Sequence, residues 1–127
     1  NMLRDKFETR LLKYFEKKDY PILAVCRGMQ LISSINKSKL FKTKNHVRKN
    51  HDIILNNNDL LNVNSYHTYL IRKVPAKYKK LALHKKDKSI EAMTHKNKKI
   101  LCLMFHPERK SKDQKKVNKL IKNFFKI

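Results

Sequence analysis

Apolar residues near the start of the chain recur at helical spacing. Leu3, Phe7, Leu11, Tyr14 and Phe15 share a face with Arg10, which predicts a helix ending near Lys18-Asp19-Tyr20, ahead of Pro21. The pattern then changes. Residues 21–25 form a short apolar run opened by a proline, as expected of a buried parallel strand, and Met29, Leu31, Ile32 and Ile35 suit a helix packed on that strand. Residues 37–50 are polar and read as loop. Short strands are predicted at 52–55 and 60–63, joined by the turn cluster Asn56-Asn57-Asn58-Asp59 as a hairpin, with a further extended piece at 69–74. Residues 81–84, 90–94 and 100–105 then read as a meander, with Lys85-Lys86-Asp87-Lys88 and Lys96-Asn97-Lys98-Lys99 as its turns. Val117, Leu120, Ile121, Phe124 and Phe125 mark a closing helix. Alternating strand and helix early, with strands later, indicates an α/β fold with a mixed sheet and flanking helices.

Candidate chemistry sits at two ends of this pattern. Cys26 lies where the apolar run of residues 21–25 gives way to a helix, in Val25-Cys26-Arg27-Gly28-Met29-Gln30. The free N–H groups and aligned dipoles of a helix start favour thiolate, so a depressed thiol pKa is expected, and Arg27 adds positive charge. In such an elbow the N–H of the following residue, here Arg27, can point at a developing oxyanion. Gly28 is the only glycine in the chain and suits the crowded turn. At the far end, the run before Met104-Phe105-His106-Pro107-Glu108 stops at His106. Extended geometry places His106 and Glu108 on one side, and Pro107 opposes a helix there. A carboxylate so placed accepts from one imidazole nitrogen and leaves the other to take a proton from sulfur. The plainer alternative is a small buried cysteine and an unrelated loop histidine.

Together these residues resemble the class I (triad) glutamine amidotransferase superfamily, in the branch of γ-glutamyl-γ-aminobutyrate hydrolases and similar γ-glutamyl hydrolases. The likeness runs through Ile22-Leu23-Ala24-Val25-Cys26-Arg27-Gly28-Met29-Gln30, Asn62-Val63-Asn64-Ser65-Tyr66-His67, Ser89-Ile90-Glu91-Ala92 and Phe105-His106-Pro107-Glu108-Arg109, in that order. It implies a flavodoxin-like mixed sheet with flanking helices. It also implies Cys26 as nucleophile, His106 as general base and acid, and Glu108 as the residue that orients His106. Gln30, Asn64, Ser65, Tyr66 and His67 would line the pocket for the glutamyl portion of a small-molecule substrate. The reaction implied is hydrolysis of a γ-glutamyl amide through a thioester, releasing glutamate and an amine or amidate, without a cofactor. A glutaminase serving a partner synthetase is a second reading, and a non-catalytic basic module that binds a polyanion is a third.

Departures from the family pattern qualify the likeness. Ala24 stands where the elbow usually has glycine, and Asn36-Lys37-Ser38-Lys39-Leu40 stands where a glycine pair is common. The family's N-terminal portion, with a glycine-rich loop donating a second oxyanion N–H, has no counterpart. Residues 1–127 are therefore expected to be the C-terminal part of a larger protein, one amidotransferase-like domain with its N-terminal portion missing. Catalysis without that portion is expected to be weak or absent, since one lost oxyanion donor costs about a hundredfold to a thousandfold.

Charge and cysteine content add constraints on partners. The chain has 32 Lys and Arg against 10 Asp and Glu, a net charge of +22. That field suits an anionic substrate, but the lysine pairs are dispersed, which argues against a dedicated nucleic-acid face. Twelve asparagines beside the lysines point to compositional bias as the simplest source of the charge. Two cysteines make no disulfide framework, Cys102 reads as a packing residue, and a working thiol fits a reducing, cytoplasmic setting. No apolar stretch approaches the ~20 residues of a membrane span. His46, His51, His67, His84 and His95 lack metal-site spacing. Arg4-Asp5 is either near the pocket, as the family likeness suggests, or a helix-start ion pair.

Overall fold

In the computed structural model, which describes residues 2–44 and 47–127 with the Arg48 side chain left aside, the elements run α1 (Met2–Lys17), β1 (Ile22–Val25), α2 (Arg27–Ile35), β2 (Leu40–Lys42), β3 (Val47–Leu55), β4 (Leu60–Tyr66), β5 (Tyr69–Ile71), β6 (Tyr78–His84), β7 (Ile90–His95), β8 (Ile100–Leu103) and α3 (Gln114–Phe125). Six strands form a mixed sheet in the order β1-β8-β7-β6-β3-β4, and β2 pairs with β5 in a separate two-stranded sheet. The expected α/β architecture is therefore present.

The pairing that matters most is parallel. β1 aligns with β8 from Ile22↔Ile100 to Val25↔Leu103, and the Cys26 N–H continues the ladder by donating to the Leu103 carbonyl at 2.7 Å. The remaining contacts of the large sheet are antiparallel, through the predicted β3–β4 hairpin and the β6–β7–β8 meander. Alternating residues of β8 feed opposite cores. Ile100 and Cys102 pack with Ile22, Ala24, Met29 and Ile32, whereas Leu101 and Leu103 pack with Ile53, Val63, Ala92 and Val117 on the α3 side. Burying a side chain of this size contributes about 1.5–3 kcal/mol.

Several sequence expectations change. Residues 37–50 are not one loop: they contain β2 and the start of β3, with 45–46 outside the described residues. The polar composition concealed β2 because its partner β5 covers only three positions, Leu40↔Ile71, Phe41↔Leu70 and Lys42↔Tyr69. The extended piece expected at 69–74 is only β5. β1 is parallel but pairs on one side, and Leu23 is 41% exposed, so the apolar run does not mean burial on all sides. Likewise α1 forms where its spacing predicts, yet only Leu12 and Phe15 pack on the core, while Leu3 and Phe7 remain exposed.

Tyr78 is 2% exposed and its ring lies edge-on to His95 at 4.9 Å, but its hydroxyl has no hydrogen-bond partner among the described residues. Burial pushes that phenol above its ordinary pKa. A buried unsatisfied hydroxyl is a cost that phenylalanine removes, so Tyr78→Phe is expected to leave stability unchanged or raise it by up to about 1 kcal/mol in chemical denaturation. A clear loss of stability would show that the hydroxyl is hydrogen-bonded.

Candidate active site

The chain turns from β1 into α2 at a single strained residue. Cys26 has φ 51° and ψ −98°, a region that L-residues rarely adopt, and it is the residue that precedes the first turn of α2. The strain falls on the cysteine and not on Gly28, which is helical. Glycine suits position 28 for a different reason: a Cβ there would lie 3.3 Å from the Ala24 Cβ across the elbow, a tight contact. Holding a non-glycine residue in such a conformation costs about 1–3 kcal/mol and persists only when the surroundings enforce it. Here the enforcing contacts are the Cys26 N–H to Leu103 bond and the Gln30 N–H donating to the Cys26 carbonyl at 3.0 Å.

The thiol itself departs from expectation. Its pKa is raised above the ordinary 9.0, because burial of the sulfur outweighs the Arg27 backbone N–H and the charge of Arg109, both of which favour thiolate. Glu108 and Glu91 add repulsion. The Arg27 side chain does not deliver the extra charge expected, since its guanidinium is paired with Asp5 and with Glu8 of α1. Arg4-Asp5 is thereby explained: Asp5 meets Arg27 and Arg4 meets Glu8 at 2.8 Å. The Arg27 backbone N–H is hydrogen-bonded to the sulfur. Gln30 Nε2 approaches the Cys26 sulfur at 4.0 Å and the Met104 sulfur at 3.7 Å.

Because β8 runs parallel to β1, the residues following both strands emerge at the same end of the sheet. His106 is reached there after Met104 and Phe105. Its Nδ1 lies 2.7 Å from Glu108 Oε2. The two meet in a turn, closed by the Arg109 N–H donating to the His106 carbonyl at 3.1 Å, and not along an extended strand as the i, i+2 argument assumed. Desolvation works to raise the Glu108 carboxyl. Its hydrogen bond from His106, a backbone N–H, and the charges of His106 and Arg109 outweigh this and hold it below the ordinary 4.5. An ionised Glu108 accepts from Nδ1–H, which leaves Nε2 as the nitrogen able to handle a proton.

The Asn64 to His67 stretch divides by burial. Tyr66 is 40% exposed, its ring edge-on to His106 at 5.9 Å and covered by the Arg109 guanidinium at 4.5 Å, so it can meet a ligand beside the imidazole. Asn64 is 1% exposed and clamps the His106 backbone from both sides: Oδ1 accepts from the His106 N–H at 2.9 Å and Nδ2 donates to its carbonyl at 2.8 Å. Nδ2 also reaches the Ser111 hydroxyl at 2.9 Å. The geometry supports positioning of His106 over the substrate contact expected for Asn64. Ser65 and His67 are likewise buried, and His67 Nδ1 donates to the Tyr69 carbonyl at 2.7 Å.

Sequence reasoning gave no role to Glu91, although it stood in a quoted segment. It is completely buried, with Oε1 3.0 Å from His51 Nε2 and Oε2 3.5 Å from His67 Nε2. The β6–β7 register slips between Ala82↔Ala92 and Leu83↔Ile90, so Glu91 is the extra residue of a bulge, a device that re-aims a side chain. A glutamate inside an otherwise apolar run was the signal available. Among the described residues no cluster of three or more potential ligands could hold a metal ion; His46 lies outside them.

A mixed sheet with a cysteine elbow on one strand and a histidine–carboxylate pair after its parallel neighbour defines an amidotransferase-type architecture. Residues 4–127 match the glutamine amidotransferase class-I family, and the chain belongs to it. It is 32% identical over 108 residues to γ-glutamyl-CDP-amidate hydrolase of Campylobacter jejuni, covering 85% of this chain and 52% of that protein. It is 33% identical over 115 residues to a subunit of glutamine-hydrolyzing GMP synthase from Methanocaldococcus jannaschii, covering 84% and 60%. The chain thus spans little more than half the length of these relatives. A crystal structure of a putative GMP synthase subunit from Thermoplasma acidophilum superposes with a TM-score of 0.75 at 19% identity, covering 92% of this chain and 63% of that one, which shows the shared fold.

Strain at the elbow makes a direct prediction. Cys26→Gly should be more stable than Cys26→Ala by roughly 1 kcal/mol in chemical denaturation, because glycine takes φ 51° without a Cβ clash. Equal stability of the two variants would mean that Cys26 is not strained.

Proposed function

We propose that the chain carries the cysteine–histidine–glutamate half of an enzyme that hydrolyses a γ-glutamyl amide. The observation behind this reading is the 2.7 Å His106–Glu108 bond at the same end of the parallel β1–β8 pair as Cys26. In the proposed reaction His106 takes the thiol proton as sulfur attacks the amide carbonyl, and the oxyanion is met by the Arg27 N–H. The C–N bond breaks as His106 returns that proton to the leaving nitrogen. Water, deprotonated by His106, then opens the thioester to give glutamate and the free thiol. The raised Cys26 pKa makes His106 indispensable, since little thiolate exists before proton transfer. Glu108 stabilises the imidazolium. In this reading Gln30 and Tyr66 contact the glutamyl group, and Asn64 holds the His106 backbone.

The name of the C. jejuni relative, a γ-glutamyl-CDP-amidate hydrolase, supports hydrolysis with an anionic leaving group. A glutaminase that supplies ammonia to a partner synthetase is the second reading, favoured by the M. jannaschii relative, which is part of a synthase. The two differ in whether glutamine turnover rises when a synthetase is added.

Covalent capture tests the shared chemistry without requiring full turnover. The diazoketone glutamine analogue 6-diazo-5-oxo-L-norleucine is expected to add once, at Cys26, with Cys102 unmodified, as read by peptide mass spectrometry. His106→Ala should slow the addition by about a hundredfold or more. Modification of Cys102 instead, or a rate indifferent to His106, would contradict the mechanism.

A further inference from the structure

Away from Cys26, His106 and Glu108, a cavity of about 550 Å³ opens between β3, Asn62 of β4 and the turn that joins β6 to β7. Lys49, Lys85 and Lys86 line it, and none of the three takes part in an ion pair among the described residues. Its two carboxylates are already engaged by the scaffold. Asp52 Oδ1 accepts from Asn62 Nδ2 at 2.9 Å, and Asp87 Oδ1 accepts from the Ser89 N–H and hydroxyl at 2.9 and 2.7 Å. These bonds fix the two carboxylates in place, and the three lysines outnumber them.

Two histidines distinguish the cavity from an ordinary solvated lysine cluster. His51 and His84 line it with side chains 11% and 9% exposed, their rings 4.3 Å apart. Neither ring is loose. His51 Nε2 is held at 3.0 Å by Glu91, whose buried negative charge favours an N–H donor at that nitrogen. His84 Nδ1 accepts from the Lys86 and Asp87 backbone N–H groups at 3.1 and 3.3 Å, so the ring proton resides on Nε2. The turn holding Lys85 and Lys86 is fixed by the Lys88 N–H donating to the His84 carbonyl at 3.0 Å, with Lys88 in the left-handed region at φ 63°. The donors of this wall are the three ammonium groups on long side chains, with the His84 ring beside them, while the His51 N–H is turned to Glu91.

We propose that this cavity binds the phosphate or diphosphate group of a small molecule. A phosphate presents three or more acceptor oxygens and a charge near −2, which matches three converging ammonium groups better than one carboxylate does. The volume exceeds that of phosphate alone and falls in the range of small-molecule sites, which leaves room for an attached sugar or base. The site does not depend on Cys26 chemistry, so its success or failure is separate from that of the proposed hydrolase.

Inorganic phosphate, pyrophosphate and ADP, titrated one at a time into the full chain at fixed ionic strength, test the proposal. Calorimetry gives the affinity, and the His51 and His84 ring resonances report the place. Saturable binding is expected, with both rings shifting. The double substitution Lys85→Glu/Lys86→Glu should weaken it at least tenfold, whereas Lys115→Glu/Lys116→Glu, an identical charge change on exposed positions of α3, should alter it less than twofold. Tighter ADP than phosphate would identify a nucleotide-like ligand, and the reverse order would identify free phosphate; either supports the site. Equal weakening by both double variants would reduce the effect to the overall field and overturn the proposal. So would binding of RNA or heparin without binding of any of the three small anions.

Discussion

One constraint organises this molecule: β1 lies parallel to β8 with Val25 opposite Leu103. Parallel strands separated by so much sequence meet only if the intervening chain folds back over the sheet, which it does through α2, β3, β4 and the meander. The consequence is chemical as well as topological. Both strands end at the same edge, so the residues that follow them, Cys26 on one side and Met104 to Glu108 on the other, emerge as neighbours. The ladder continues one residue further through the Cys26 N–H to the Leu103 carbonyl. That bond helps to hold the cysteine in its strained conformation at the head of α2.

Around this edge the structure uses buried polar side chains where a simpler fold would use apolar ones. Asn64 satisfies both backbone groups of His106, and the Ser111 N–H and Pro107 carbonyl are met by Gln114 at the start of α3. Glu91 joins β7 to His51 of β3 and His67 beyond β4. Each group is costly to bury unless fully partnered, so the network specifies one arrangement of the hairpin, the meander and the histidine turn. The histidine that matters most to the proposed chemistry is thus held through its backbone by Asn64 and through its ring by Glu108.

Much of this was legible in the sequence. The apolar runs at 22–25 and 100–103 and the helical stripes at both termini follow from periodicity, and the turn cluster at 56–59 predicts the β3–β4 hairpin. Cys26, His106 and Glu108 drew attention because each sits where a pattern breaks, and the structure pairs His106 with Glu108. What escaped depends on tertiary context. β2 is only three residues long, lies in a stretch that is otherwise polar, and pairs with β5 far along the chain. The Arg27 side chain looks like a free cation until α1 is placed beside it with Asp5 and Glu8. The thiol environment reversed sign for the same reason: local sequence shows a helix start, which favours thiolate, whereas only the packed structure shows the burial that outweighs it. The family likeness put Asn64 among the pocket residues, and strand alternation alone could not show that its amide is bound to the His106 backbone.

A buried thiol with a raised pKa is a poor nucleophile by itself, so the account stands on an imidazole close enough to take its proton. The most direct measurement is the separation between the Cys26 sulfur and the His106 Nε2 nitrogen in a crystal structure of the chain. The account predicts about 3–4 Å, or a gap bridged by one water. Atoms more than about 8 Å apart, with no water between them and the ring turned away from the sulfur, would contradict it.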